Sequence, residues 1–141
     1  MVPIEGGQPT QIVNDFAGFN SVDVFPDGRR LSFISSVAQN QFRISICDLP
    51  SCTNRIDKSL PQNFVYQMLR VTPDGTALAY VATDLHNIWL APLAGGPPRQ
   101  LTHFTDRTIA NFAWSRDGKR LAIARTTTTN DIVLFKGLRK Q

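Results

Sequence analysis

The sequence lacks the long apolar runs and the metal-ligand clusters that mark several common functional classes. Nowhere in its 141 residues is there a stretch near the roughly 18 uninterrupted apolar residues of a membrane-spanning helix. Its first residues also lack the basic start and apolar run of a signal peptide. We therefore expect no membrane anchor and no direct membrane insertion within this stretch. The two Cys and two His show none of the zinc-site spacings, which usually need about four ligands, so the sequence predicts no metal site.

Signals for catalysis are equally scarce. A hydrolase would normally carry a Gly-x-Ser-x-Gly elbow, and none is present. Only His86 and His103 could serve as imidazole bases, and both are predicted to lie near strand ends. The Gly-Gly-Pro-Pro run at 95–98 lacks the Lys-Ser/Thr of a phosphate-binding loop. We expect no catalytic residue, no enzyme activity and no cofactor.

The net charge of +4 is unevenly distributed. Seven basic residues and two acidic ones lie between residue 116 and the end, which leaves the rest of the chain close to neutral. No basic stripe interleaved with aromatic residues, of the kind found in single-strand binders, accompanies this basic stretch. The sequence therefore predicts no nucleic-acid partner.

An internal repeat is the main positive feature. Segments 24–33, 71–80 and 114–123 align around Asp-Gly pairs that are 47 and 43 residues apart, a period typical of four-stranded propeller blades. Asp-Gly supplies the positive φ angles of a tight hairpin turn, and the flanking residues alternate as half-buried strands do. Each repeat therefore predicts a hairpin of a blade's first two strands, with one apolar face.

A second motif completes the blade. Residues 87–102 are typical of a third strand, a Gly-Gly turn and a short outer strand, with relatives at 43–49 and 131–135, whereas residues 2–13 match only the turn and the outer strand. The predicted fold class is all-β, with about three four-stranded antiparallel blades of an incomplete β-propeller spanning residues 1–141. We assign 1–15 to the outer strand of a preceding blade, 20–60 and 65–103 to complete blades, and 109–136 to a blade without its outer strand.

These repeats resemble the TolB-type, WD-like Pro-Asp-Gly propeller family of bacteria over nearly all of the chain. The best copies lie at 73–80, 88–102 and 114–123. Three departures stand out: Arg116 replaces the turn Pro, Ser45 stands at a strand Trp position, and Cys52 occupies a Gly-Gly turn position. The segments also look like the last blades of large bacterial propellers that follow a serine/threonine kinase or winged-helix regulator domain.

The resemblance implies two alternative functions. One is a non-catalytic interaction or scaffold module that binds a protein or peptide partner. The other is the C-terminal sensory or regulatory propeller segment of a larger kinase or transcription regulator. The family has no shared catalytic residue to transfer to this chain.

Asp23, Arg70 and Ala113 take equivalent positions in the three predicted innermost strands. Asp23 and Arg70 could therefore form a polar binding site in the propeller channel, or pair with each other between neighbouring blades. Cys47 and Cys52 flank a predicted strand-turn connection that can bring their Cβ atoms within disulfide range. An oxidised pair would favour a periplasmic or other extracytoplasmic compartment; a reduced pair would be ordinary buried cysteines.

Three blades would leave sheet faces and edges uncovered, because closed propellers usually have about four to eight. The remaining blades could belong to a longer chain. Alternatively, a homodimer could close a six-blade ring, with each chain's first strand completing the partner's last blade.

Overall fold

The computed structural model describes residues 1, 4–15, 17, 21–39, 41–61 and 63–127, without the side chains of 65–67. Ten strands form three antiparallel sheets in chain order. Sheet 1 contains β1 (Val22–Val24), β2 (Arg30–Ala38), β3 (Gln41–Asp48) and β4 (Thr53–Ser59). Sheet 2 contains β5 (Phe64–Val71), β6 (Ala77–Ala82), β7 (Ile88–Pro92) and β8 (Arg99–Gln100). Sheet 3 contains β9 (Thr108–Trp114) and β10 (Leu121–Thr126).

The all-β, open arrangement of propeller blades confirms the predicted fold class. The third strand predicted at 131–135 lies outside the described residues. The described part of the chain contains no helix that is long and apolar enough to cross a membrane.

The repeated Asp-Gly pairs form the predicted turns between the first two strands of each sheet. Gly28, Gly75 and Gly118 have φ angles of 67°, 68° and 69°, a region that side chains with a Cβ rarely adopt. In each turn the aspartate carboxylate accepts a hydrogen bond from the backbone N–H two residues further on. The repeat thus encodes one turn geometry three times.

Each sheet has two faces, which we name by the strand register. The front face carries the apolar residues two apart on either side of the Asp-Gly turn, and the back face is the opposite one. The register pairs Val22 with Phe33, Leu69 with Tyr80, and Phe112 with Ile123. The front-face residues are Val22, Val24, Leu31 and Phe33 in sheet 1; Leu69, Val71, Leu78 and Tyr80 in sheet 2; and Phe112, Trp114, Leu121 and Ile123 in sheet 3.

The sheets pack front to back. The front face of sheet 2 forms one buried cluster with Phe25 and with Ile34, Ile44 and Ile46 of the back face of sheet 1. The front face of sheet 3 packs in the same way on the back face of sheet 2. That second cluster includes Ala77, Ala79, Val81, Ile88 and Leu90 from sheet 2, with Phe112 from sheet 3. Burial of these apolar side chains is the main stabilising term at both interfaces.

The turns of neighbouring sheets also touch. A Cβ added to Gly75 would lie 3.8 Å from Pro26 Cδ, an ordinary contact, whereas one added to Gly118 would lie 2.6 Å from Pro73 Cβ. The proline of each turn therefore faces the glycine of the next turn. Between sheets 2 and 3 this approach leaves no room for a side chain.

The described residues of the N-terminal segment lie against sheet 1 and form no strand. Residues 8–13, predicted as an outer strand, show no strand pairing, because the described residues include no earlier sheet with which they could pair. Val13 instead packs on the cluster of Leu31, Phe33 and Cys47.

Further along, the backbone of Asp15 and Ala17 bonds to that of β2 through Ser36 and Ile34. The Arg55 guanidinium binds both carboxylate oxygens of Asp15, at 3.1 and 2.7 Å. This hydrogen-bonded guanidinium lowers the pKa of Asp15. The interaction fixes the N-terminal segment to the outer strand of sheet 1.

Candidate functional site

The innermost strands of the three sheets border one cavity of about 350 Å³. Asp23, Arg70 and Ala113 each line it, and their strand partners Ser32, Ala79 and Ala122 occupy equivalent positions in the second strands. Pro26, Pro73 and Arg116 of the turns contribute as well. The structure thus brings both predicted binding residues, Asp23 and Arg70, to one site.

Asp23 and Arg70 bind backbone groups there. The Asp23 carboxylate accepts hydrogen bonds from the N–H groups of Val24 at 3.0 Å and Val71 at 2.8 Å. One guanidinium N–H of Arg70 donates to the carbonyl oxygen of Leu69 at 2.9 Å. Within the described part of the chain, Asp23 and Arg70 form no ion pair. The Asp23 carboxylate therefore joins sheets 1 and 2, and Arg70 keeps donors that face the cavity.

Two further lining residues come from the end of β9 and its turn. Trp114 borders the cavity, and its Nε1 is buried without a hydrogen-bond partner among the described residues. Arg116 is exposed, and over the same part of the chain its side chain forms no hydrogen bond or ion pair. In the sequence, Arg116 stands out only as a departure from the turn proline. That departure was the available signal, because it places a cation where the other turns have a rigid apolar ring.

The electrostatics of the cavity favour an anionic or acceptor-rich ligand. Its one carboxylate, Asp23, is already engaged by two backbone N–H groups. Arg70 and Arg116 add two guanidinium groups, which suit carboxylates because their N–H donors form a planar fork. Trp114 supplies part of an aromatic wall.

The repeated turn aspartates have a structural role. The backbone N–H of Arg29 lowers the pKa of Asp27. At the other two turns the largest effect comes from a side-chain hydroxyl group. Thr72 lowers the pKa of Asp74, and Ser115 lowers the pKa of Asp117. No cluster of three or more metal-ligating side chains occurs in the part of the chain that the structure describes.

The histidines lie away from the cavity. The Nδ1 of His86 hydrogen-bonds with the carbonyl oxygen of Arg107 at 2.9 Å, across the connection between sheets 2 and 3. His103 is exposed just after the outer strand β8. Neither lines the cavity between the innermost strands.

Cys47 and Cys52 are joined by a disulfide, with Cα atoms 4.8 Å apart. Cys47 is buried at the end of β3, and Cys52 adopts a φ of 52° in the turn before β4. Gly95 and Gly96 have φ angles of 100° and 101° in the corresponding turn of sheet 2. Cys52 thus takes a left-handed conformation at a position where the other sheet uses glycine.

Comparison with known proteins gives one relative by sequence and several by structure. No protein-family model matches the sequence. Tricorn protease homolog 1 of Streptomyces coelicolor is 35% identical over 57 residues, which is 39% of this chain and 5% of that protein. TolB from Acinetobacter baumannii has a TM-score of 0.59 at 25% identity, covering 83% of this chain and 29% of that one. The β-propeller domain of the Trilobed protease from Pyrococcus furiosus has a TM-score of 0.47 at 22% identity, covering 77% of this chain and 34% of that one.

The chain thus spans less than two thirds of the length of each of these proteins. Its three front-to-back sheets are blades of a β-propeller. The similarity to TolB confirms the resemblance that the repeats predicted, so this is a stretch of TolB-like blades.

Proposed function

We propose that the chain is a non-catalytic β-propeller interaction module whose inner-strand cavity binds a protein or peptide partner. The observation that carries the proposal is the lining of that cavity by Arg70, Arg116 and Trp114. Guanidinium groups with unused donors beside an aromatic ring suit a peptide that offers carboxylates or backbone carbonyls. Arg and Trp are also the residue types that contribute most strongly to protein interfaces.

The positions of the two histidines support a non-catalytic role. Acyl-transfer chemistry needs a base within hydrogen-bond reach of a nucleophile. His86 is bonded to a backbone carbonyl oxygen at the turn after β6, and His103 lies on the exposed surface. Both are outside the cavity that would receive the partner.

A random-peptide library displayed on phage tests the proposal. Peptides selected on the intact chain are measured by fluorescence polarisation against the wild type and against Arg70→Ala, Arg116→Ala and Arg99→Ala. Arg99 is an exposed arginine of β8 outside the cavity, so it controls for loss of charge.

We expect acidic peptides to be selected, and the two cavity variants to weaken their binding by about tenfold or more. The Arg99 variant should bind like the wild type. The proposal would be contradicted by equal losses of affinity in all three variants. It would also be contradicted by selected peptides that bind both cavity variants as tightly as the wild type.

We further propose that the protein works in an extracytoplasmic, oxidising compartment. The support is the disulfide between Cys47 and Cys52, since such bonds persist mainly in secreted and periplasmic proteins. Thiol alkylation of protein isolated without reductant, read by mass spectrometry, should leave both cysteines unmodified. Quantitative alkylation of both would contradict this location.

A further inference from the structure

Neighbouring sheets pack in the same way, with a front face against a back face. Each end of the array leaves one such face uncovered by a described sheet. The front face of sheet 2 covers the back face of sheet 1, and the front face of sheet 3 covers the back face of sheet 2. The front face of sheet 1 and the back face of sheet 3 are the two faces that no described sheet covers.

The exposed front face of sheet 1 is apolar. Val22 and Val24 are 51% and 48% exposed, although the equivalent Leu69 and Val71 in sheet 2 are buried. A depression of about 290 Å³ is lined by Val22, Leu31, Phe33 and the N-terminal Ile12 and Val13.

The back face of sheet 3 carries small apolar residues and the exposed polar residue Asn111. Ala113, Ala122 and Ala124 are exposed there and border a shallow depression of about 340 Å³. Ala79 stands at the position equivalent to Ala122 on the back face of sheet 2, where the front face of the next sheet buries it. At this position the open back face of sheet 3 therefore matches a back face that is buried elsewhere in the same molecule.

The N-terminal segment packs on the front face of sheet 1 through Val13. Leu60, which follows the outer strand of sheet 1, packs on the cluster at the front face of sheet 2 together with Leu93. Val13 packs on the cluster at the front face of sheet 1 together with Leu49. A sheet that docked on this front face would therefore lie beside Val13.

The turns of neighbouring sheets pack in the same order. Gly75 and Gly118 each face the proline of the preceding turn, whereas Gly28 has no neighbour within 4 Å of an added Cβ. Arg116 holds the proline position in the third turn and is exposed. A third contact of the same kind would set Arg116 beside Gly28 and its neighbour Asp27, whose carboxylate already pairs with Arg30 of the same turn.

We propose that the front face of sheet 1 binds the back face of sheet 3 of a second copy of this chain. Because the second copy offers the same two faces in the same order, two such contacts close a ring with twofold symmetry. With the three described sheets of each copy, the ring has twice that number of blades, within the usual range of about four to eight. The proposal concerns the sheet ends and does not rest on the peptide-binding function.

Light scattering on the full 141-residue chain over a dilution series measures this assembly. We expect twice the chain mass of 15.7 kDa. Val24→Glu should place a charge in the contact and raise the dimer dissociation constant at least about tenfold. Ala122→Glu should do the same from the other face, at an exposed site that tolerates the new side chain in the monomer.

Ile56→Glu is the matched control. Ile56 is 58% exposed, similar to Val24, but it pairs with Ile46 on the side of sheet 1 that faces sheet 2. The dimer dissociation constant of the Ile56→Glu variant should therefore equal that of the wild type. Circular dichroism should show the same β-structure in all variants.

Several results would overturn the proposal. A monomeric wild-type chain would assign the two faces to another partner, and masses growing beyond two copies would show open head-to-tail association. A dimer that survives both face variants, or one that Ile56→Glu dissociates equally, would place the contact elsewhere. Peptide binding by a monomeric chain would leave the proposed function intact while removing this assembly.

Discussion

The carboxylate of Asp23 accepts a hydrogen bond from the backbone N–H of Val71, 2.8 Å away in the neighbouring sheet. Its other oxygen accepts from the N–H of Val24, the next residue in its own strand. One side chain thus satisfies backbone donors from the innermost strands of two sheets. This places Asp23 at the junction of sheets 1 and 2 as well as in the cavity wall.

We expect Asp23→Ala to lower the free energy of unfolding by about 1–3 kcal/mol, because it leaves two backbone N–H groups without their charged acceptor. Urea unfolding measures the loss, and amide exchange should become faster at Val71. Asp48→Ala is the control, since Asp48 binds the Asn54 side chain in an exposed turn of a single sheet. Unchanged protection at Val71 would contradict the role of this bond.

Two glycines with the same backbone conformation should differ in their tolerance of alanine. Gly28 and Gly118 have φ angles of 67° and 69°, so both substitutions carry the left-handed cost of about 1–2 kcal/mol. Only at Gly118 would the new Cβ meet another residue, at 2.6 Å from Pro73 Cβ. We expect Gly118→Ala to cost about 1–3 kcal/mol more than Gly28→Ala in urea unfolding. Equal losses would show that the two turns do not press together in solution.

Acid should weaken the attachment of the N-terminal segment. The Arg55 guanidinium holds the pKa of Asp15 below its usual value of about 3.9. The stability that this pair contributes is therefore complete above about pH 4 and is lost as the pH falls further, through the lowered pKa of the folded state.

Asp15→Asn isolates this contribution. The wild type should be more stable than the variant at neutral pH, and the difference should shrink below about pH 4. The aspartates that do not contact Arg55 titrate alike in both proteins and cancel in the difference, whereas Asp57 shares the Arg55 guanidinium with Asp15. Urea unfolding at a series of pH values measures it, and a difference that is constant with pH would show that the Asp15 charge adds no stability.

The disulfide should stabilise sheet 1. It closes a loop between residues separated by 5 positions, for which chain entropy gives about 2 kcal/mol. We expect a reductant to lower the unfolding midpoint of the wild type. The double variant Cys47→Ala, Cys52→Ala should start from a lower midpoint and should not respond to the reductant. A wild-type midpoint that is insensitive to complete reduction would contradict this contribution.

The sequence predicted the parts of the fold that depend on local chemistry. The Asp-Gly turns and the apolar alternation around them depend on residues within one hairpin, so the front faces and the innermost strands followed from the repeat. Asp23 and Arg70 could be placed near each other because the repeat fixes equivalent strand positions.

Contacts between distant segments could not be predicted in this way. The bond from Asp23 to Val71 depends on the offset between two sheets, and the bond from Arg55 to Asp15 joins residues 40 positions apart. The place of Trp114 in the cavity wall also could not be predicted, because nothing local shows that it borders the cavity. Residues 8–13 carry the pattern of an outer strand but pair with none, since a strand needs a neighbouring sheet edge.

The front-to-back packing also affects how the molecule loses its structure. Each sheet is stabilised by its immediate neighbours, so stability is approximately a sum of terms along a line of units. Sheet 2 is covered on both faces by described sheets, and every residue of β6 is buried. Sheets 1 and 3 each have a neighbour on one face within the described residues. Thermal fluctuations should therefore open the array from its two ends, and the strand β6 should be the last element to exchange its amide hydrogens.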